Sequence, residues 1–566
     1  MRIITTHKYY ILLLIIFLIA LLLRVYKLAD IPVGMHGDEA SIGYNAYSLF
    51  KTARDQDGNF LPLAFDQFGN FRAAGYQYVD IPFVALLGLN SLAVRLPAAL
   101  FGSLTVVVFY FFLTDFFKNK KTALIGAFLF ATLPWHVNIS RASSEGVISS
   151  FFVLLGIYLI YKAVMEKTIS FALFLLSFFS LLLSFFFYHA AGPFVLTFLP
   201  FLFLFGFLRP SKTSLIMSII MYFGLALGLI LFLTAGSGIG RISQVNIFSI
   251  PGGTNEVKQA MDEDGVQNPL ITRFYHNKLY HFDRLFITFS SLHLSGDFLF
   301  VNNGNPIRYK MPWTGNLYLI VAPFLIFGFA ILLSEGIKEK KYLFLIPIAW
   351  LFTGVIPAAL TFEDLPNVVR ANLMIPALVM IAAFGVSESL RIFKGRVRTI
   401  FIIISALILS QNISSFLHNY FHHLRIHEPW HRSAAEAELI FTVDDYLKKN
   451  KKVIMTTESN NNFIFYLFYN KFDPAEFQRR GSPKEKENLV FDNIKYTYHP
   501  CPLEGDPRKS TSAKEGFIYV NKPDCKLPKN AEILHEIHTP DGSQAFYILK
   551  LREVDEATLY RESQIQ

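Results

Sequence analysis

Apolar runs of about twenty residues, separated by short polar loops, dominate the sequence. The first run covers about residues 9–28 and has no small-residue cleavage site, so it is interpreted as a retained helix. Ten further runs occur at about residues 95–117, 122–139, 146–164, 169–188, 191–208, 214–235, 316–334, 342–361, 368–388 and 399–417. About 20 apolar residues cross the hydrocarbon core of a bilayer, so the pattern predicts about eleven transmembrane helices. The segment 76–89 is either an interfacial helix or a further span.

Lysine and arginine concentrate in alternate loops. Short cytoplasmic loops are enriched in these residues, so the alternation predicts an orientation. It places on one side the groups Arg2 and Lys8; Lys118, Lys120 and Lys121; Lys162 and Lys167; Arg209 and Lys212; Lys338, Lys340 and Lys341; and Arg391, Lys394, Arg396 and Arg398. The N-terminus is therefore predicted to be cytoplasmic. Three larger segments, residues 29–94, residues 236–315 and the tail from about residue 418, are predicted to lie outside.

The composition changes after about residue 417, where polar stretches begin to alternate with short strand-like runs. These runs are Lys452–Thr456, Phe463–Tyr469, Gly516–Val520 and Ala545–Leu551. The chain is therefore divided into a transmembrane domain, 1–417, and an extracytoplasmic α/β or α+β domain, 418–566. Cys501 and Cys525 are the only cysteines and both lie in this tail. The sequence leaves open whether they form a disulfide.

The composition agrees with a polytopic α-helical protein of the plasma (inner) membrane. Hydrophobic residues make up 53% of the chain, charged residues 17%, and the mean hydropathy is +0.38. The net charge of +9 does not indicate a nucleic-acid partner, because the basic residues follow the membrane topology. The sequence contains no RNA-recognition signature and no phosphate-binding glycine loop at a strand-to-helix junction. A nucleotide-linked substrate is therefore disfavoured.

The first predicted outer loop carries the most informative polar motif, His36-Gly37-Asp38-Glu39, about ten residues beyond the first span. A carboxylate at the membrane surface can remove a proton from an acceptor hydroxyl, while its neighbour orients the substrate. Asp38 and Glu39 are therefore the candidate catalytic residues, and His36 is a candidate substrate-binding residue. The alternative is that the two acidic side chains cap a following helix, since acidic residues favour helix N-termini.

Polar side chains also gather at the predicted outer helix mouths, whereas the middles of the spans contain almost none. The group comprises Arg95, His136, Arg141, Glu145, His189, Glu363, Asp364 and Arg370. This is the depth of a lipid phosphate, and arginine suits bidentate phosphate contacts. Each residue alone has an alternative role as an interfacial anchor or helix cap. Arg308 joins the candidates because the turn-forming residues 302–306 fix the chain before it.

No metal or other cofactor is predicted. His36, His276 and His281 are the histidines considered for a divalent cation together with Asp38 or Glu39, but the sequence shows no compact ligand spacing.

Three motifs resemble the dolichyl-phosphate-mannose protein mannosyltransferase superfamily, which includes the bacterial aminoarabinose transferases and has the GT-C fold. They are residues 37–40 (GDEA), residues 92–102 (LAVRLPAALFG) and residues 366–372 (PNVVRAN). Residues 305–309 (NPIRY) resemble a pattern that bacterial members show before a late span. The resemblance covers about residues 9–417.

The resemblance implies an inverting glycosyltransferase that uses a polyprenyl-phosphate-linked sugar and an extracytoplasmic acceptor. Asp38 stands at the family's catalytic carboxylate and Glu39 supports it. Arg141, Arg308 and Arg370 are implied to contact phosphate or to organise the loops. The family's Lys-Pro-Pro has no clear equivalent here; residues 71–76 occupy its place, so either Arg72 replaces the lysine or the acceptor side differs. The resemblance therefore does not by itself imply protein O-mannosylation.

The main alternative function is a multi-span transporter or flippase of lipid or glycan. It predicts charged or broken helices near the bilayer midplane and often repeated halves. Neither pattern is visible in the sequence. The sequence does not reveal the donor sugar or whether the acceptor is protein, lipid or glycan.

Overall fold

The structure is a computed structural model that describes residues 2–67, 70–165, 170–206, 212–235, 244–250, 252–265, 268–457, 462–481, 490–491, 493–504 and 516–552. Two loop charges used for the orientation, Lys167 and Arg209, lie outside these residues. The chain forms two compact units. The helical unit comprises Met1–Leu28, Pro62–Val79 and Arg95–Tyr420, and the sheet unit comprises Ala29–Leu61, Asp80–Val94 and Phe421–Gln566.

The first ten helices run in order from the N-terminus to the second predicted outer segment. They are α1 (Arg2–Val25), α2 (Gly37–Thr52), α3 (Gly75–Leu87), α4 (Ser91–Phe117), α5 (Lys120–Thr132), α6 (Pro134–Ile139), α7 (Glu145–Met165), α8 (Phe171–Phe187), α9 (Ala191–Gly206) and α10 (Lys212–Ala235). A short antiparallel hairpin, β1 (Ala64–Gln67) and β2 (Asn70–Ala73), precedes α3.

The remaining elements continue through the second outer segment, the late spans and the tail. They are α11 (Asn255–Glu263), α12 (Pro269–Tyr275), α13 (Lys278–Leu294), α14 (Val321–Ile337), α15 (Ile346–Ala359), α16 (Ile375–Ile392), α17 (Gly395–Phe421), α18 (Glu436–Lys448), β3 (Lys452–Thr456), α19 (Asn462–Tyr469), α20 (Pro474–Arg479), β4 (Val490–Phe491), β5 (Ile494–Thr497), β6 (Phe517–Asn521), β7 (Ala531–His538) and β8 (Gln544–Leu551).

The helical architecture confirms a polytopic membrane protein. Among the described residues, seven helices are long and apolar enough to cross a membrane: His7–Val25, Ser91–Phe117, Glu145–Met165, Leu215–Thr234, Tyr342–Ala359, Asn372–Ile392 and Gly395–Arg425. Three shorter apolar helices are Phe171–Phe187, Ala191–Leu204 and Val321–Ile337. The count of eleven spans stays a prediction.

The apolar run 122–139 is two helices rather than the single predicted one. Helix α5 ends at Thr132, and α6 begins at Pro134. Leu133 has φ −58° and ψ 125° between them, because the residue before a proline is driven away from the helical conformation. The break frees the Thr132 carbonyl, which accepts a hydrogen bond from the Tyr318 hydroxyl at 2.6 Å.

Helices α14 and α16 are joined by a glycine seam, Gly328 and Gly385. A Cβ on Gly328 would overlap the Ile381 carbonyl oxygen, and a Cβ on Gly385 would overlap that of Phe324. Only glycine therefore permits this backbone-to-backbone approach. Both helices also border an apolar cavity of about 520 Å³, which α1, α5 and α17 complete.

The sheet unit contains a six-stranded mixed sheet in the order β4-β5-β3-β6-β8-β7. Strand β3 runs parallel to β5 and β6, while β8 runs antiparallel to β6 and β7. Three of the four strand-like runs predicted in the tail are confirmed as β3, β6 and β8. The unit also contains α2, which comes from the first outer segment rather than from the tail.

The fourth run, Phe463–Tyr469, was wrongly predicted as a strand and belongs to helix α19. A short, uniformly apolar run has no period that separates a buried strand from a buried helix. Four consecutive residues of this run are all buried: Ile464, Phe465, Tyr466 and Leu467. Packing on all sides suits a helix held between α2 and α18.

Cys501 and Cys525 form a disulfide, with their Cα atoms 5.5 Å apart. The question that the sequence left open is thereby answered. The division at residue 417 stays a prediction, and the two compact units divide the chain differently, because residues 29–61 and 80–94 group with residues 421–566.

Candidate active site

His36 and Glu39 form a capping box at the start of α2. His36 Nδ1 accepts a hydrogen bond from the Asp38 backbone N–H at 3.1 Å, and the His36 N–H donates to Glu39 Oε2 at 3.3 Å. A capping box satisfies donors that a helix N-terminus leaves without intrahelical partners. Of the two acidic residues considered as helix caps, Glu39 is therefore the one that caps α2, and it is 7% exposed.

Asp38 occupies the second position of α2 and keeps its carboxylate outside the capping box. Its side chain is 14% exposed, and Asp38 Oδ2 lies 3.7 Å from His36 Nδ1. The positive end of the helix dipole favours the ionised carboxylate at this position. An ionised carboxylate beside an imidazole can accept a proton from a hydroxyl. The local geometry therefore suits a general base at Asp38 and a supporting role for its two neighbours.

The tail holds the helix that carries Asp38. The Tyr44 hydroxyl donates to the Phe472 carbonyl at 3.2 Å, and Gln478 Nε2 donates to the Ser48 and Thr52 hydroxyls, each at 3.0 Å. These partners are more than 420 residues apart in sequence. No sequence motif marks them, so the sequence left the role of the tail open.

The backbone just before Asp38 is fixed to the tail as well. Gly34 has a φ of +71°, and a Cβ there would overlap the Arg432 carbonyl oxygen. Glycine adopts this conformation and this close approach without a steric penalty. The segment from Gly34 to Asp38 therefore has a defined path on the sheet unit.

In the helical unit, Arg72 and Arg370 belong to one group of polar side chains. Arg72, on β2, has its Nη1 3.5 Å from Oε1 of Glu145, the first residue of α7. Half-buried Tyr188 is hydrogen-bonded to Arg370 and interacts electrostatically with Glu145 and Arg72. The structure thus brings together two arginines that the sequence places about 300 residues apart. Their guanidinium groups are suited to a phosphate.

Arg370 is held by the loop that precedes it. Its guanidinium donates to Glu363 Oε2 and to the Glu363 carbonyl, both at 2.7 Å, and to Thr361 Oγ1 at 3.0 Å. Its side chain is 11% exposed. A bound phosphate would share Arg370 with Glu363.

The loops that carry Arg308 and Arg370 are joined by backbone hydrogen bonds. The Asn305 N–H donates to the Pro366 carbonyl at 2.7 Å, and the Val368 N–H donates to the Asn305 carbonyl at 2.8 Å. Arg308 is half-buried, with its guanidinium carbon 5.3 Å from the centre of the Tyr309 ring. Two of the sequence patterns that carry the resemblance, residues 305–309 and residues 366–372, therefore form a single structural feature.

His293 fixes the same loop from helix α13. Its Nδ1–H donates to the Phe289 carbonyl at 2.7 Å, which leaves Nε2 to accept the Asn367 N–H at 2.8 Å. Burial lowers the His293 pKa to about 4, and although the Phe289 hydrogen bond raises the pKa, the Arg370 charge lowers it further. His293 is therefore neutral at pH 7. No sequence pattern marks His293, because a lone histidine on a helix gives no signal.

Arg141 lies beneath the end of α1 rather than on an open surface. It is 0% exposed and donates to the Leu23 carbonyl at 2.7 Å and the Tyr26 carbonyl at 2.8 Å. Buried Arg24 and Arg95 donate in the same region, to the Ala131 and Leu28 carbonyls. These bonds satisfy carbonyls that a helix C-terminus leaves unpaired. The geometry supports loop organisation, one of the two roles predicted for Arg141, over phosphate contact.

The histidines considered for a cation have other neighbours. His276 Nε2 lies 3.2 Å from Asp264 Oδ2, and His281 Nδ1 lies 3.8 Å from Glu256 Oε2. Within the residues that the structure describes, no group of three or more His, Cys, Asp or Glu side chains is arranged to hold a metal ion.

Part of the chain matches a known family. Residues 75–236 match the family described as dolichyl-phosphate-mannose-protein mannosyltransferase. A putative mannosyltransferase, YkcB from Bacillus subtilis, is 31% identical over 106 residues, which cover 17% of this chain and 15% of that protein. The match with YkcB therefore spans less than a sixth of that relative.

Two solved structures share the fold at low sequence identity. ArnT from Cupriavidus metallidurans in the apo state has a TM-score of 0.52 and 11% identity, with 96% of this chain and 98% of ArnT covered. The oligosaccharyltransferase AglB from Archaeoglobus fulgidus, in complex with an inhibitory peptide and a dolichol-phosphate, has a TM-score of 0.50 and 12% identity, with 82% of this chain and 64% of AglB covered. Residues 75–236 are therefore similar to the dolichyl-phosphate-mannose-protein mannosyltransferase family, and the likeness to ArnT and AglB shows that the chain has their fold.

Proposed function

We propose that the chain is a membrane glycosyltransferase that moves a sugar from a polyprenyl-phosphate carrier to an acceptor outside the cytoplasm. The family match over residues 75–236 carries this proposal. The matched segment includes α7 and its first residue, Glu145, which forms an ion pair with Arg72. The dolichol-phosphate in the AglB complex supports a lipid-phosphate donor.

Asp38 is the proposed general base. Its carboxylate takes the proton from the acceptor hydroxyl while the hydroxyl oxygen forms a bond to the anomeric carbon. The bond from that carbon to the phosphate oxygen breaks, and its electron pair leaves with the polyprenyl phosphate. Attack from the face opposite the phosphate inverts the anomeric configuration. The His36–Glu39 capping box orients the Asp38 end of α2.

Arg72 and Arg370 are the proposed phosphate ligands. A leaving phosphate gains negative charge, and guanidinium groups held in place stabilise that charge without reorganisation. The ion pair with Glu145 and the bonds to Glu363 hold the two arginines in place before the donor arrives. Arg308, on the loop that is hydrogen-bonded to the Arg370 loop, is proposed to assist them.

The orientation predicted from the loop charges gains support from the disulfide. Disulfides persist in oxidising compartments and are rare in the cytosol. The Cys501–Cys525 bond therefore supports an extracytoplasmic sheet unit, and with it the proposed cytoplasmic N-terminus.

The test measures the transfer of radiolabelled sugar from a panel of polyprenyl-phosphate sugars in membranes containing the full chain. Asp38→Asn is expected to lower the transfer rate by about 10²- to 10⁴-fold, the range typical of a lost general base. Asp30→Asn is the matched control, since Asp30 is an exposed carboxylate in the same outer segment. It should transfer at the wild-type rate.

Protein level and membrane insertion are compared among the variants. Equal transfer by wild type and Asp38→Asn would refute the assignment of Asp38. Absence of transfer with every donor, in well-inserted wild type, would refute the enzyme and favour the transporter hypothesis.

A further inference from the structure

We infer that a cavity in the sheet unit, lined by His36, Trp430 and the ends of β6 and β8, binds a sugar residue of a glycan acceptor. The term acceptor rests on the proposed function. The recognition of a sugar rests on the cavity alone and can be tested without any transfer reaction.

The cavity has the size of a small-molecule site. Its volume is about 510 Å³, within the range of about 300–1,000 Å³ common for ligand pockets. Its walls come from three parts of the sheet unit: His36 before α2, Trp430 to Glu436 before α18, and the segments around Lys522 and Gln544 at the ends of β6 and β8. Segments distant in sequence therefore build one concave surface.

Trp430 is the exposed aromatic group of this cavity, at 49% exposure. It lies in a short helical turn, Pro429–Arg432, between Glu428 and Ser433, which both have a positive φ. The Arg432 carbonyl packs against Gly34, so the turn has a fixed neighbour. The indole is therefore held by a constrained backbone while about half of its surface stays available to a ligand.

The polar lining complements a sugar. A pyranose presents C–H groups on its faces, which pack on aromatic rings, and hydroxyls around its edge, which both donate and accept hydrogen bonds. The cavity offers the Trp430 ring together with the carboxylate of Asp524, the amide of Gln544 and the ammonium of Lys522. Lys522 Nζ lies 4.5 Å from the centre of the Phe546 ring, at the distance of a cation–π interaction.

A peptide is a poorer fit. Extended peptides commonly bind by adding a strand to an open sheet edge. The strand residues that line the cavity belong to the start of β8, and Lys522 lies just after the end of β6; both are inner strands in the order β4-β5-β3-β6-β8-β7. The lining strand already pairs with its neighbour, as Gln544 does with His538 and Phe546 with Ile537.

The cavity is also next to the proposed base. His36 lines it, and His36 Nδ1 lies 3.7 Å from Asp38 Oδ2. A glycan seated against Trp430 would extend a neighbouring sugar hydroxyl toward the start of α2. The cavity thus makes a glycan the acceptor class favoured for the proposed transfer.

The test is a saturation-transfer NMR titration of the full chain in lipid nanodiscs, without donor. The probes are trisaccharides that end in mannose, galactose or N-acetylglucosamine, and a peptide rich in serine and threonine. At least one trisaccharide should bind, and Trp430→Ala should weaken it about tenfold or more, as expected for the loss of an aromatic anchor. Trp430→Phe should retain most of the affinity. Trp313→Ala is the matched control, since Trp313 is 73% exposed and belongs to the helical unit.

The outcomes separate this inference from the proposed function. If no trisaccharide binds, or if Trp430→Ala and Trp313→Ala bind equally well, the inference fails even where sugar transfer is measured. If only the peptide binds in a Trp430-dependent way, a peptide replaces the glycan. If a trisaccharide binds through Trp430 but no donor supports transfer, the sugar site stands and the proposed enzyme fails.

Discussion

Acidification should loosen the loop that carries Arg370, because His293 must be neutral to accept the Asn367 N–H. Its Nε2 is the acceptor and its Nδ1–H is already donated to Phe289. Protonating Nε2 replaces that acceptor with a second donor, so the hydrogen bond is lost. The perturbation is a change from pH 7.5 to pH 5.0.

The magnitude follows from the two pKa values. The pKa of His293 in the closed loop is about 4, depressed by burial, against the ordinary histidine pKa of 6.5 in the open loop. Because the pKa of His293 is lower in the closed loop than in the open loop, the closed loop has its full stability above about pH 6.5. This stability falls as the pH drops toward 4, since the open loop binds the extra proton more readily. At pH 5.0 the opening constant rises about 30-fold, which corresponds to about 2 kcal/mol.

The assay is amide hydrogen exchange of the full chain, followed in peptides that contain Asn367 and corrected for the intrinsic pH dependence of exchange. Protection at Asn367 should fall about 30-fold between pH 7.5 and 5.0. His293→Gln should have lower protection at both pH values and a change of less than about threefold between them. Amides of β6 serve as an internal reference. Unchanged Asn367 protection in the wild type, or an equal fall in His293→Gln, would refute the reasoning.

Two further predictions concern stability. Cys501→Ser should destabilise the sheet unit by about 3 kcal/mol, since the disulfide closes a loop with a sequence separation of 24; urea-dependent exchange at β3 measures this, and an additive further loss in the Cys501→Ser/Cys525→Ser double variant would contradict it. Arg141→Met should lower the midpoint of thermal unfolding and the inserted yield, because the Leu23 and Tyr26 carbonyls lose their donor at about 1–3 kcal/mol each. Arg308→Met, at a half-buried position, is the control and should lower sugar transfer more than stability; the reverse order would contradict both assignments.

The sequence predicted the features that local pattern controls. The apolar runs predicted the helical membrane architecture, and the short strand-like runs between polar stretches predicted β3, β6 and β8. The predicted strand at Phe463–Tyr469 is wrong because its burial on all sides, which decides for a helix, comes from partners elsewhere in the chain. Likewise, the proline at 134 was present in the sequence, but the apolar run concealed the break that it causes.

The candidate site was predicted as a set of residues but not as an arrangement. The motif at Asp38 was visible in the sequence. That Glu39 caps the helix while Asp38 stays outside the capping box depends on hydrogen bonds that no sequence pattern encodes. Arg72 and Glu145 were both noticed, yet their ion pair joins a hairpin to a helix about 70 residues away. The support that the tail gives to α2 depends on contacts across more than 420 residues, which lie beyond any local signal.

The glycine seam between α14 and α16 has a mechanical consequence for the apolar cavity. With Gly328 and Gly385 in backbone contact, these two helices act as a single stiff panel, and there is no side-chain layer between them to slide or compress. Another part of the wall comes from α17, and only 6% of the most apolar stretch of α17 is buried. Any change in the volume of the cavity should therefore come from movement of α17, while α14 and α16 keep their positions relative to each other.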